Sequence, residues 1–370
     1  MIYFDHNATT PLAPEVLERM LPFLQDSYGN ASSIHAAGQR ARHAVDDARE
    51  QVCAALQCLP KEIVFTSGGT EANNLALRGA YAARPPNRHR IVTTSVEHPS
   101  VLDTVRALDP EAVLLRVDSA GRLDWNEVES ALTPETALVS VMWANNETGV
   151  LFPAERIGLL CRERGIPFHV DAVQVAGKLP IDLSRLPADL LSLSAHKFGG
   201  PQGAGALFIR RRFPFRPLQT GGAQELGRRG GTENVAAIVG LGAALELAPH
   251  DDLAPLRDAL ERAILASVSE TRVIGGETER LGSTTSLCFR HVDGEGLLMA
   301  LDLAGICASS GSACSSGSLE PSHVLRAMGI TPEWARGAVR FSLGPTNTTA
   351  EVEVVAQAVA RAVYTLRRPH

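Results

Sequence analysis

Between residues 62 and 210, short apolar runs alternate with stretches in which apolar residues recur every three or four positions. The runs EIVFTS, RIVTTS, AVLLRV, ALVSVMW, PFHVD, DLLSLS and GALFIR are rich in β-branched and other apolar side chains, the composition of strands. Residues 71–82 and 155–164, and ahead of the strands the Ala-rich 35–56, carry the spacing of amphipathic helices. Strand and helix in alternation predict an α/β domain with a mainly parallel seven-stranded sheet covered by helices.

After the Gly- and Arg-rich GGAQELGRRGGTEN come two helical runs, 235–247 and 253–268, then shorter strand and helix signals. The second run reads as the connection into a smaller α+β domain. The expected division is a large domain over 14–250 and a small one formed by 1–13 with 251–370. No internal repeat or low-complexity linker is visible.

With 370 residues, 45% apolar and 21% charged, the chain has ample material for a core. Its 35 Lys and Arg against 41 Asp and Glu give no basic footprint, so nucleic acid is not expected as a direct partner. MIYFDHNATT has no basic segment leading into an apolar one, and no apolar run approaches the roughly 18 residues of a membrane span, so a cytoplasmic protein is expected. Six cysteines are too sparse for a disulfide framework. Cys53 and Cys58 lack a matching ligand pair for a metal and read as one face of a helix. Cys161, Cys288 and Cys307 lie in or beside apolar runs and read as small hydrophobes. Cys314 is different, standing in ASSGSACSSGS with nothing large enough to bury it.

In open α/β sheets ligands bind beyond the carboxyl ends of the strands, and here those ends are unusually polar. EIVFTS runs into GGTEAN, where the glycines of 68 and 69 allow close backbone approach and Thr70 opens a helix whose first amides favour a phosphate. His98 follows the next strand, Asn145 and Asn146 another, Asp171 and Gln174 another, and Ser194, His196 and Lys197 another. A lysine shielded from water there has a lowered pKa and an amine free for Schiff-base chemistry. An aspartate in the same cleft can pair with a pyridinium nitrogen. Phosphate cradle, Lys197 and Asp171 together point to pyridoxal 5'-phosphate.

The ordered set DHNATT, TSGGTEANN, EHPSV, NNETG, HVDAVQ, SLSAHK, GGTEN, SSGSACSSGSLEPSHVLRA and VRFSLG resembles the cysteine desulfurases of the NifS/IscS type, class-V enzymes of pyridoxal-phosphate fold type I. The resemblance implies that Lys197 carries the cofactor, Asp171 pairs with its ring nitrogen, Gln174 bonds its phenolic oxygen and His98 stacks on the ring and moves protons. Gly69, Thr70, Ser194 and His196 would take the phosphate, with Thr232 supplied by the second subunit of a homodimer. Arg340 and Asn146 would hold the carboxylate of L-cysteine, for which a guanidinium is well shaped. Cys314 becomes the nucleophile: Ser/Gly-rich sequence suits a thiol that must reach the substrate and then deliver sulfur elsewhere. A persulfide on Cys314, release of L-alanine and transfer to an acceptor such as an iron–sulfur scaffold are the implied sequence of events. No metal site is expected in the isolated chain, although the family allows Cys314 to ligate an iron–sulfur cluster transiently.

Three positions depart from the family pattern: Ala195 where Gly is more frequent, Gln202 in place of the Lys of a GPKG turn, and Leu226 where Arg is common. The sequence also ends soon after its last helical run, without the tail that housekeeping relatives use to dock the scaffold. Two other readings stand beside the desulfurase. An aminotransferase or selenocysteine lyase would share Lys197 and Asp171 but has no need of the Cys314 segment. A non-enzymatic sulfur carrier would not need Lys197 and Asp171.

Overall fold

The computed structural model describes residues 1–249, 251–310 and 322–367. Its twelve strands are β1 (Ile2–Tyr3), β2 (Ile63–Thr66), β3 (Arg90–Thr94), β4 (Val113–Leu115), β5 (Thr136–Met142), β6 (Phe168–Asp171), β7 (Leu190–Ser194), β8 (Gly205–Ile209), β9 (Thr271–Ile274), β10 (Thr284–Phe289), β11 (Ile306–Cys307) and β12 (Ala338–Ser342). The seven runs read as strands all enter one sheet, in the order β2-β8-β7-β6-β5-β3-β4. Strands β3 to β7 pair in parallel, while β8 runs antiparallel to both β7 and β2. Because β8 reverses twice, β2 points the same way as β7, and the carboxyl ends of β2, β3, β5, β6 and β7 share one edge.

Every residue of β5, β6, β7 and β8 is buried, as in a sheet covered on both faces. On one face the helix Gly69–Ala82 sets Ala72, Leu75, Ala76 and Leu77 against Val64, Ile91, Leu138, Leu190 and Leu207. On the other, the helices Ala36–Leu56 and Val235–Leu247 bring Val45, Ala48, Val52, Ile238 and Leu241 into the main core. Those two helices approach closely because their contact is built from small residues: a Cβ on Gly242 would meet Ala48 Cα at 2.9 Å.

A three-stranded antiparallel sheet, β12-β10-β9, packs with the helices Ala254–Ser267, Gly294–Leu303 and Thr349–Leu366 around Leu260, Leu287, Phe341 and Val355. Phe4 joins this cluster, and β1 pairs in parallel with β11. Among the described residues, no helix is long and apolar enough to cross a membrane.

Helix boundaries differ slightly from the expectation. The helix of 36–56 begins at Ala36 with His35 as its N-cap, and ends before Gln57, which takes a left-handed conformation. Cys58 therefore lies past the helix rather than on its face; Cys53 is buried within it. Cys161 and Cys288 are buried and Cys307 is partly so.

Candidate active site

The shared strand edge opens into a cavity of about 470 Å³, within the usual range for a small-molecule site. Its lining includes Gly69 and Thr70, the first residues of the helix Gly69–Ala82, whose first turn has no side-chain cap hydrogen bond among the described residues; Gly68 before them has a φ of +149°. Strand β8 presses against this turn: a Cβ on Gly205 would lie 2.6 Å from Gly68 Cα. Only glycine allows that approach, and it leaves uncapped amides of a helix start facing the cavity beside Thr70, an arrangement suited to an anion.

His98, at the end of the β3 segment, N-caps the helix Pro99–Leu108. Its Nδ1 accepts from the Ser100 amide at 3.1 Å and contacts Ser100 Oγ at 2.8 Å, which leaves the neutral ring's proton on Nε2. Burial lowers its pKa, with Asp171 opposing the shift. Asp171, the last residue of β6, is buried and receives the Asn73 amide at 2.7 Å and the Val173 backbone N–H at 3.0 Å.

Lys197 closes the short turn that follows β7. Its Nζ donates to two backbone carbonyls, Asn7 and Ala8, each at 2.7 Å. His196 beside it contacts Thr9 Oγ1 at 3.2 Å, and burial together with Lys197 pushes it down to about 4. Ser194 is buried at the strand end. The segment DHNATT is thus strapped along the turn that carries Lys197.

Arg340 arrives from the smaller sheet, in register with Ser286, and is 2% exposed. It donates to Asp5 at 2.8 Å and to the Asn146 carbonyl at 3.0 Å, and among the described residues its Nε has no partner. Asn146 lines the cavity, whereas Asn145 folds the turn, accepting from the amides of Glu147 and Thr148.

The cavity therefore gathers Gly69, Thr70, His98, Asn146, Asp171, Gln174, Ser194, His196, Lys197 and Arg340. Thr232 is exposed and is not among its lining residues. Cys314 falls outside the described residues, but both flanks of its segment are fixed at the site. Ser309 exchanges backbone hydrogen bonds with Arg340, and Ser322 donates to the buried Glu147 carboxyl while His323 lines the cavity. Burial pushes Glu147 up to about 7.

Besides Glu147 and His323, the residues about the site that were not singled out in the sequence include Asn7, Asn73, Lys178 and Glu97. Asn7 donates to the Asn146 carbonyl and Thr284, receives Lys178 on its side-chain oxygen, and offers its carbonyl to Gln174 and Lys197. Asn73 holds Asp171, Lys178 contacts Gln174, and Glu97 ties Thr94 to the Met142 amide. Asn7 and Asn73 lie inside quoted motifs, but their partners are remote in sequence. Of the three departures, Ala195 is fully buried and Gln202 exposed. Leu226 is 62% exposed with a φ of 60°, next to Glu225, which is buried against Arg49.

Residues 2–355 match the class-V aminotransferase family. A protein of Nostoc sp. named cysteine desulfurase is 50% identical over 99% of this chain and 94% of its own length. A solved NifS-like protein superposes with a TM-score of 0.92 at 36% identity, covering 98% of this chain and 99% of its own. SspA, solved in complex with cysteine, gives a TM-score of 0.85 at 37% identity, covering 94% of this chain and 100% of its own.

Proposed function

The chain belongs to the class-V aminotransferase family and is a cysteine desulfurase, and we propose that it works with pyridoxal 5'-phosphate in the cavity at the strand ends and a persulfide on Cys314. The donor set fits that cofactor: an uncapped helix start for a phosphate, a buried carboxylate for a ring nitrogen, and an amine that donates to two backbone carbonyls. Gly69, Thr70, Ser194 and His196 would hold the phosphate, Asp171 the ring nitrogen, Gln174 the phenolic oxygen and Lys197 the aldehyde carbon, and His98 would face the ring. When bound, the cofactor supplies the electron sink that lets the substrate's α-proton leave and weakens its C–S bond.

In this reading Arg340 and Asn146 orient the carboxylate of L-cysteine, and the Nε of Arg340, without a partner among the described residues, is a donor available to it. Lys197 Nζ takes the proton from the substrate Cα and returns a proton during the reaction, and His98 relays one through Nε2. The Cys314 thiolate attacks the substrate sulfur: an S–S bond forms, the C–S bond breaks with its electron pair going to the carbon fragment, and protonation releases L-alanine. The sulfur then passes to an acceptor protein, such as a scaffold for iron–sulfur clusters or another thiolation pathway.

The observation that carries the reading is that Lys197, Asp171, His98 and Arg340 share one cavity to which both flanks of the Cys314 segment are fastened. A homodimer in the cytoplasm completes the proposal. Exposed Leu17, Leu21 and Leu24 form an apolar stripe on the helix Pro14–Leu24, and Thr232 stands outside its own cavity, where a second subunit can use it. The two-domain division at 14–250 against 1–13 with 251–370 is supported by Phe4, which packs with Leu287 and Phe341.

Intact-mass spectrometry after incubation with L-cysteine, without reductant and with alanine assayed in parallel, tests this. The wild type gains one sulfur, and Cys314→Ala loses both the gain and alanine release. A wild type that binds pyridoxal phosphate yet gains no sulfur overturns the persulfide and turns attention to transamination.

A further inference from the structure

Lys178 follows Gln174 by four residues, and the chemistry above leaves it unused. Its Nζ sits between two amide oxygens, 2.8 Å from Asn7 Oδ1 and 2.8 Å from Gln174 Oε1. An amine that gives an N–H to each decides which end of each amide faces it. The nitrogen ends must then point elsewhere, and they do. Asn7 Nδ2 donates to the Asn146 carbonyl at 3.1 Å and to Thr284 Oγ1 at 3.0 Å, while Gln174 Nε2 donates to the Asn7 carbonyl at 3.1 Å. That same carbonyl receives Lys197 at 2.7 Å, so the donor end of Gln174 lies on the Lys197 side.

We propose that Lys178 is a positioning residue of the cofactor site: by donating to Gln174 Oε1 and Asn7 Oδ1 it fixes both amides, and so presents the Gln174 N–H group to the cofactor's phenolic oxygen. The proposal rests on the reading of this cavity as a pyridoxal-phosphate site. A rotated glutamine amide is nearly isosteric, so shape alone does not set its direction, and a lone pair turned toward an ionised oxygen would repel it. Burial, with Lys197 and Arg340 adding to it, pushes the Lys178 amine down to about 7. Its role survives that titration, because the neutral and the charged amine both carry two N–H groups for the two oxygens.

The test compares wild type, Lys178→Met, Lys178→Arg, Gln174→Ala and the Lys178→Met/Gln174→Ala double variant. Each apoprotein is titrated with pyridoxal phosphate by absorbance, and the pH midpoint of the bound cofactor's bands is recorded. Lys178→Met weakens binding about ten- to hundredfold, the worth of one hydrogen bond to an ionised oxygen, and raises the pH midpoint. Lys178→Arg restores most of both. In the Gln174→Ala background, Lys178→Met adds less than about threefold, since the lysine acts through that amide. Lys178→Gln, which can both donate and accept, substitutes where methionine prevents folding, and it too shifts the midpoint. Equal affinity and midpoint in wild type and the Lys178 variants overturn the proposal alone, as do losses that multiply in the double variant. A wild type that takes up no pyridoxal phosphate overturns the site reading and this proposal with it.

Discussion

Glu97 gives the most quantitative handle on the site's electrostatics. It is fully buried beside the cavity, and one carboxyl oxygen accepts from Thr94 Oγ1 at 2.8 Å and from the Met142 amide at 2.9 Å. Its other oxygen has no partner among the described residues. Burial, with the charge of Asp171 added, raises its pKa from 4.5 to about 8. The folded protein therefore holds the proton where the unfolded chain has lost it. For a group raised in this way, the stabilising contribution is fully present below pH 4.5 and is lost as pH rises through about 8. At about 1.4 kcal/mol per pH unit the full effect is on the order of 5 kcal/mol.

The substitution Glu97→Gln removes the titration and keeps the acceptor for Thr94 and Met142. It places an N–H₂ where the unpartnered oxygen stood, a cost that does not vary with pH. The difference in stability between Glu97→Gln and wild type, from urea denaturation with saturating pyridoxal phosphate, should thus shift toward the variant by about 2 kcal/mol between pH 4.5 and 6, and by on the order of 5 kcal/mol by pH 9. Other groups titrate alike in both proteins and drop out of the difference. A difference that stays flat between pH 5 and 8 would mean that Glu97 is ionised in the fold, and the argument from burial would be wrong.

Two further outcomes follow from the sheet itself. His169 is fully buried in β6, with its ring nitrogens 2.8 Å from Ser140 Oγ and 2.9 Å from Ser192 Oγ on the neighbouring strands, and burial pushes it down to about 3. His169→Leu costs roughly 2–4 kcal/mol in urea at pH 7 by stranding two hydroxyls, and adding Ser140→Ala and Ser192→Ala recovers most of it; no recovery would refute the bridge. Gly205→Ala forces a Cβ against Gly68 backbone, so it should cost roughly 1–3 kcal/mol and weaken pyridoxal-phosphate binding together. A variant with unchanged affinity would separate β8 from the phosphate cradle.

These cases show why some of the site is legible in sequence and some is not. Strands such as LLSLS and GALFI are buried on both faces and are therefore mostly apolar, so they announce themselves within five residues each. The strand order then fixes which ends share an edge, and polar residues there, such as Lys197 after β7 and Asp171 at the end of β6, stand out against the apolar runs beside them. Asn7, Asn73 and Lys178 carry no such local contrast. Asn7 is defined by contacts with Asn146, Lys178, Thr284 and Ser342, all contributed by segments more than 130 residues away. Its importance is a property of the closed fold, because a buried amide must satisfy four hydrogen-bonding directions and only the tertiary structure says where they lead. The same reasoning separates Glu97 from its neighbour His98. The histidine is read from its place at a strand end, whereas the carboxyl's neutrality follows only from its burial in the closed fold and the charge of Asp171, which outweigh the hydrogen bonds from Thr94 and Met142.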